Sequence, residues 1–331
     1  MTLLSVDNIS VEFTTRDGRV EPLNGISFDL DDGEIVGLVG ETGSGKSVTA
    51  QAIMGLLSFL DGKVSQGRIL FKGNDLLSLS EYEYQKIRGN QISLISQNPM
   101  TSLDPVYKVG DQIVEGLRLH LDITRSEAAK KAVAVMTSLG IANSEKVFSQ
   151  YPHQLSGGLK QRIVIAMGLC ADPKLLIADE PTTALDVTVQ AQIIALFKKT
   201  IQNRHMGMIM ITHDLGVIAH LCDKVVVMYA GTVVEKGSVS AVFNEPGHPY
   251  TSSLLGCIPT FGMAQKTLNA IPGNVPSVRT FPSGCRYHPR CLKARPVCVD
   301  HSPETIRAPN GTQVKCHMFS PDWSKDHEPV G

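Results

Sequence analysis

Three short stretches of the chain carry residue types that handle phosphates. "GETGSGKS", residues 40–47, is a glycine, four residues, then Gly-Lys-Ser. Its glycines let backbone N–H groups curl around phosphate oxygens, and a helix opening behind them adds the positive end of its dipole. Lys46 can reach the outer phosphates, and the Ser47 hydroxyl can ligate Mg²⁺. "LLIADE", residues 175–180, carries Asp179 to the end of an apolar run, where a carboxylate can hold the hydration shell of Mg²⁺; Glu180 beside it can polarise an attacking water. "LSGGLKQR", residues 155–162, puts Ser156, Gly157 and Gly158 ahead of a helical pattern, a second anion-binding helix tip. Two phosphate cradles but a single lysine loop imply a site completed by a partner chain.

The elements around these stretches fit the chemistry. "EIVGLVG" reads as a short apolar strand before the lysine loop, and "KSVTAQAIMGLL" as the helix after it. A glycine-rich turn with a chance lysine would lack both. "LLSVDNISVEF" and "LNGISFDL" alternate as strands, and residues 108–150 are helical in pattern, with Ser126 as a candidate N-cap. Strand "KLLIAD", helix "VTVQAQIIALFKKTIQNR", strand "GMIMITH", helix "LGVIAHLC" and strand "KVVVMYAG" then alternate, which predicts an α/β fold around a largely parallel sheet. "NEPGHPY" breaks the pattern, so a boundary is placed near 245, with a smaller, loop-rich part behind it.

Bulk properties narrow the classes. With 331 residues, two domains or one with an appendage are expected. A net charge of −1 gives no broad footprint for nucleic acid. The N-terminus lacks the basic and apolar regions of a signal peptide, and no apolar run is long enough to span a bilayer. Seven cysteines are then expected in a reducing compartment.

Order and spacing of the three stretches resemble those of the ATP-binding-cassette (ABC) ATPases, over about residues 3–245. The resemblance implies a largely parallel sheet with an antiparallel β subdomain and a helical subdomain near residues 98–160. It implies that the signature residues Ser156, Gly157 and Gly158 close on the nucleotide of a partner subunit. Gln97 resembles the glutamine that senses Mg²⁺ and water, and His213 the switch histidine at the γ-phosphate. Asp186 resembles the aspartate that bridges two subunits, and Phe13 the aromatic that stacks on adenine. The implied catalytic set is Glu180, His213 and Gln97. The implied ATP set is Phe13, Gly40, Glu41, Thr42, Gly43, Ser44, Gly45, Lys46, Ser47 and Val48, with Ser156, Gly157, Gly158 and Asp186; Mg²⁺ falls to Ser47, Gln97 and Asp179.

"NPMTSLDPVYKVGDQI", "YPHQLSGGLKQR" and "DEPTTALDVTVQAQI" closely resemble the oligopeptide/dipeptide/nickel importer ATPases, with Ser96 and Asn98 departing from that pattern. This implies ATP hydrolysis that powers uptake of peptides or related small solutes. The implied partners are two transmembrane permease subunits, a second ABC ATPase that is a paralogue, and an external solute-binding protein; nucleic acid is not among them. The implied place is peripheral, on the cytoplasmic side of the inner membrane. A soluble ABC ATPase acting on nucleic acid or ribosomes, or a redox-sensing ATPase, are the competing readings.

The extension typical of such importers resembles residues 246–331, from "HPYTSSLLGCIP" through "PSGCRYHPRCLKARPVC". Cys285, Cys291, Cys298 and Cys316 in it could bind Zn²⁺ or an iron–sulfur cluster. No CxxC pair supports structural zinc, and the resemblance implies a [4Fe-4S] cluster that would staple a part with little apolar periodicity. Four plain reduced cysteines are the alternative. Cys170, Cys222 and Cys257 read as packing residues.

Overall fold

A computed structural model of the chain describes residues 1–97, 99–182, 186–258, 270–320 and 323, the side chains of Pro99 and Met100 apart. Along them run strands β1 (Thr2–Thr15), β2 (Gly18–Asp31), β3 (Ile35–Val39), β4 (Gly62–Phe71), β5 (Asn74–Asp75), β6 (Ile92–Ile95), β7 (Leu175–Asp179), β8 (Gly207–Ile211), β9 (Lys224–Tyr229), β10 (Thr232–Ser238), β11 (Thr305–Arg307) and β12 (Gln313–Lys315). The helices are α1 (Lys46–Ile53), α2 (Glu81–Ile87), α3 (Pro99–Ser102), α4 (Val109–His120), α5 (Arg125–Ser138), α6 (Ser144–Phe148), α7 (Gly157–Leu169), α8 (Val187–Arg204), α9 (Leu215–Leu221), α10 (Val239–Asn244), α11 (Pro249–Gly256) and α12 (Pro296–Asp300). They fall into two compact units. One comprises Met1–Leu3, Leu30–Ile35 and Ser78–Ile211, the other Leu4–Asp29, Val36–Leu77 and Thr212–Gly331.

The second unit holds the lysine loop. Its antiparallel sheet has the order β2-β1-β4-β5, and its other strands follow β11-β12-β10-β9-β3. β3 and β9 pair in parallel, Val36 opposite Lys224 through Val39 opposite Val227. All five residues of β3, "IVGLV", are buried, as a strand covered on both faces requires. Gly37 is its thin point: a Cβ there would stand 2.5 Å from Ile218 Cδ1, so α9 packs directly on the strand backbone.

Residues expected as loop form sheet in this unit. β12 pairs antiparallel with β10, Glu235 opposite Val314, and β11 pairs with β12. Val314 is fully buried and Cys316 nearly so, with Met318 and Phe319 packed against them. Strands of three residues are too short to show an alternation, which is why sequence pattern alone passes over them.

The first unit is helix-rich. Parallel strands β6, β7 and β8 sit side by side, Ile92 opposite Leu175 and Leu175 opposite Gly207. α5 is opened by Thr124 rather than Ser126: Thr124 Oγ1 accepts from the Glu127 N–H, and Glu127 accepts the Thr124 N–H at 2.8 Å. The Glu three residues on selects the cap, because only Thr124 completes the reciprocal pair. Among the described residues no helix is long and apolar enough to cross a membrane.

Candidate functional site

In the second unit the lysine loop bridges β3 and α1. Gly40 has φ +149°, and a Cβ on it would stand 2.1 Å from the Met228 carbonyl oxygen. Only glycine lets the chain leave the strand at this point. Lys46 is 7% exposed, and its Nζ donates to the carbonyls of Gly40 (2.7 Å) and Glu41 (3.0 Å) and to Ser44 Oγ (3.3 Å). Ser44 is buried, and its carbonyl accepts from the Gly231 N–H at 3.0 Å. Gly45 leads into α1; Thr42, Gly43 and Ser47 are exposed, and Val48 is half-buried. The loop is therefore locked inward and open outward, with amides, a hydroxyl and an ammonium as its donors. That donor set suits a polyphosphate.

Behind the loop lies an assembly that motif reading missed. The Glu41 N–H donates to Tyr250 Oη at 2.9 Å, and its carboxylate accepts from Arg290 Nη1 at 2.7 Å and Nη2 at 3.0 Å. Tyr250 packs on Tyr229 at 4.7 Å between ring centroids and on Tyr287 at 5.3 Å. Burial pushes the Tyr250 hydroxyl far above its ordinary range, so it stays neutral. The one signal available was Glu41 itself, an acid within an anion-binding loop, which demands a cation from elsewhere.

His213 and Phe13 belong to the same unit. His213 is exposed between buried Thr212 and Asp214, which caps α9 by accepting from the N–H groups of Gly216 and Val217. Phe13 sits opposite Gly62 in the β1–β4 pair, and a Cβ on Gly62 would meet its ring at 2.5 Å.

The first unit carries the carboxylates. Asp179 ends β7, half-buried, and Glu180 follows it with φ +47°. A non-glycine residue in the left-handed region is strained, and such strain gathers at functional positions. Here it is held by the Glu180 N–H, which donates to the Ile211 carbonyl at 2.8 Å. Gln97 Nε2 donates to Glu180 Oε2 at 2.9 Å, so two residues far apart in sequence meet. In the same unit Ser156 caps α7, accepting from the Leu159 N–H at 3.4 Å. Gly157 is exposed, and a Cβ on it would meet nothing within 4 Å. Gly158 lies against Val189, and exposed Asp186 caps α8 by accepting the Val189 N–H at 2.9 Å. Ser96 and Ser102 share a 2.7 Å hydroxyl contact, and Asn98 lies outside the described residues.

The metal expectation at the cysteines is overturned. Among the described residues no group of three or more His, Cys, Asp or Glu side chains is placed to hold a metal ion. Cys285, Cys291, Cys298 and Cys316 do line one cavity, but its volume is about 20 Å³. That admits about one water and not a four-iron cluster. Burial pushes the Cys285 thiol up to about 11, Cys316 to about 12, and Cys291 upward as well. Burial thus favours the thiol over the thiolate form at these three positions. The imidazoles beside them are engaged too, His288 Nδ1 with the Cys285 carbonyl and His317 Nε2 with that of His301. All seven cysteines are free. The [4Fe-4S] cluster and its zinc alternative fall together.

Other contacts do the stapling that a metal was expected to do. Fully buried Glu235 accepts the N–H groups of Gly247 (2.8 Å) and His248 (2.9 Å), clamping the start of the extension. Cys170 and Cys222 are buried packing residues, and half-buried Cys257 contacts the Ser253 carbonyl.

Comparison with known proteins follows this geometry. The ABC transporter domain family matches residues 23–183, and the oligopeptide/dipeptide transporter C-terminal region matches residues 234–298. The oligopeptide transport ATP-binding protein AppD of Bacillus subtilis is 45% identical, across 98% of this chain and 99% of its own length. The dipeptide transport ATP-binding protein DppD of Bacillus subtilis is 48% identical, across 96% and 94%. The chain belongs to the ATP-binding proteins of peptide ABC transporters. The dimeric structure of MJ0796, a bacterial ABC transporter cassette, covers 71% of this transporter ATPase and 98% of its own chain, with 25% identity and a TM-score of 0.63. The ATP-binding cassette expected from the motifs is thus the fold observed, and ATP hydrolysis is its activity.

Proposed function

We propose that this ATPase powers the uptake of peptides through separate membrane permease subunits, from the cytoplasmic face of the inner membrane. The reading is supported by likeness along nearly the whole chain to proteins named for oligopeptide and dipeptide transport. Lys46 and the amides of its loop hold the outer phosphates of ATP. Ser47, Gln97 and Asp179 would hold Mg²⁺, which when bound screens phosphate charge. Glu180 takes the proton of the attacking water, and Gln97 keeps that carboxylate oriented. His213 contacts the γ-phosphate, and Phe13 stacks on adenine. Ser156, Gly157, Gly158 and Asp186 serve the nucleotide of a second, paralogous ATPase, a role that suits the exposure of Ser156, Gly157 and Asp186. An external solute-binding protein delivers the peptide. Closing around ATP and reopening after hydrolysis would drive the permease between its two faces.

The observation that carries the chemistry is the 2.9 Å bond from Gln97 to a strained, half-buried Glu180. Glu180→Gln in the assembled transporter is expected to keep ATP binding while turnover and peptide uptake fall at least about 100-fold. Turnover close to wild type would remove Glu180 from the role of general base.

A further inference from the structure

We propose that Arg290, supplied by the C-terminal extension, is a positioning residue for the nucleotide: it cancels and pins the Glu41 carboxylate so that the lysine loop can accept a polyanion. The proposal rests on that loop holding the phosphates. A free carboxylate on the loop's second residue would repel the incoming phosphates and compete with them for Lys46. Arg290 answers it with two parallel N–H···O bonds, the strongest form of this pair. Its side chain is 4% exposed, against 29% for Glu41, so the pair is held from the interior.

The guanidinium is itself fixed. Nε donates to the Pro272 carbonyl at 2.8 Å, and the group lies 5.7 Å from the Tyr229 ring. Tyr229 packs on Tyr250, whose hydroxyl takes the Glu41 N–H. Residues from 229 to 290 thus hold both the charge and the backbone of Glu41, and its carbonyl is left facing Lys46 Nζ at 3.0 Å. A salt bridge serving only to tie the extension down could lie anywhere on the surface. This one reaches across 249 positions to the loop that must attract phosphate.

The test compares Arg290→Ala, Arg290→Lys and the double variant Glu41→Gln/Arg290→Ala in the full-length chain. Binding of a fluorescent ATP analogue and the KM and kcat of the assembled transporter are read, with melting temperatures alongside. Arg290→Ala is expected to raise Kd and KM about tenfold, with kcat changed by less than about twofold. Arg290→Lys should lose about threefold, since one ammonium cannot bridge both oxygens. The double variant should recover affinity, because the repelling charge is gone. Unchanged affinity in Arg290→Ala, or a double variant as weak as the single one, would overturn the proposal and leave a mere staple. If Arg290→Ala does not fold, Arg290→Lys against Glu41→Gln/Arg290→Lys asks the same question at smaller amplitude. Wild-type protein that binds no analogue, or Lys46→Ala that binds it normally, would instead sink the reading of the loop itself.

Discussion

Two glycine-led helix tips differ in what surrounds them. At α1, a Cβ on Gly40 would strike the Met228 carbonyl at 2.1 Å, and Lys46 and Ser44 are buried against their own loop. At α7, a Cβ on Gly157 would meet nothing within 4 Å, and Ser156 is exposed although it caps the helix. The same backbone chemistry is enclosed by its own chain in one case and bare in the other. An enclosed tip ties its binding function to folding. A bare one can be altered without the fold noticing, which is expected where the remaining wall belongs to another subunit.

The largest effect that could break this contrast lies at the enclosed tip. Gly40→Ala is expected to abolish ATP binding and to destabilise the chain by on the order of 3 kcal/mol, read by thermal melting beside nucleotide titration. A variant that melts like wild type would mean that the wall yields. At the bare tip, Gly157→Val should leave melting within about 0.5 kcal/mol of wild type, while ATPase activity of the assembled transporter falls at least about tenfold. A large loss of stability there would erase the distinction.

The smallest effect sharpens the picture of the wall behind α1. His248 is completely buried, and its Nδ1 accepts the Tyr250 N–H at 3.0 Å. Burial holds its pKa down at about 3, against an ordinary 6.5. The folded chain keeps this ring neutral, while the unfolded chain protonates it as pH falls below about 6.5. Its stabilising contribution is complete above that pH and drains away toward pH 3. Between pH 7.5 and 5.5 the loss should be about 1.4 kcal/mol. His248→Asn keeps an N-cap acceptor and should flatten that share of the slope in denaturant melts across pH.

Legibility in the sequence followed locality. The lysine loop, the Asp179–Glu180 pair and the capped tip of α7 are patterns within a few residues, and each was readable from glycine spacing and flanking apolar runs. Gln97 could be named from resemblance and Glu180 from its place after the apolar run, yet their contact spans 83 positions and leaves no periodic trace. Arg290 has the same difficulty across 249 positions, and nothing in "HPRC" distinguishes a clamp from a surface arginine. The cysteines show the opposite failure. Their spacing was visible, but ligation depends on how the folded chain disposes the side chains, which is not a property of spacing. β11 and β12 escaped notice because three residues cannot establish a period of two.

β12 has one more consequence. It occupies the outer margin of β10, filling that strand's backbone hydrogen bonds at Glu235 and Lys236. A shortened chain ending before Thr305 would lay this margin open, a ready template for recruiting strands from other molecules. The β11–β12 pair therefore doubles as a guard against aggregation.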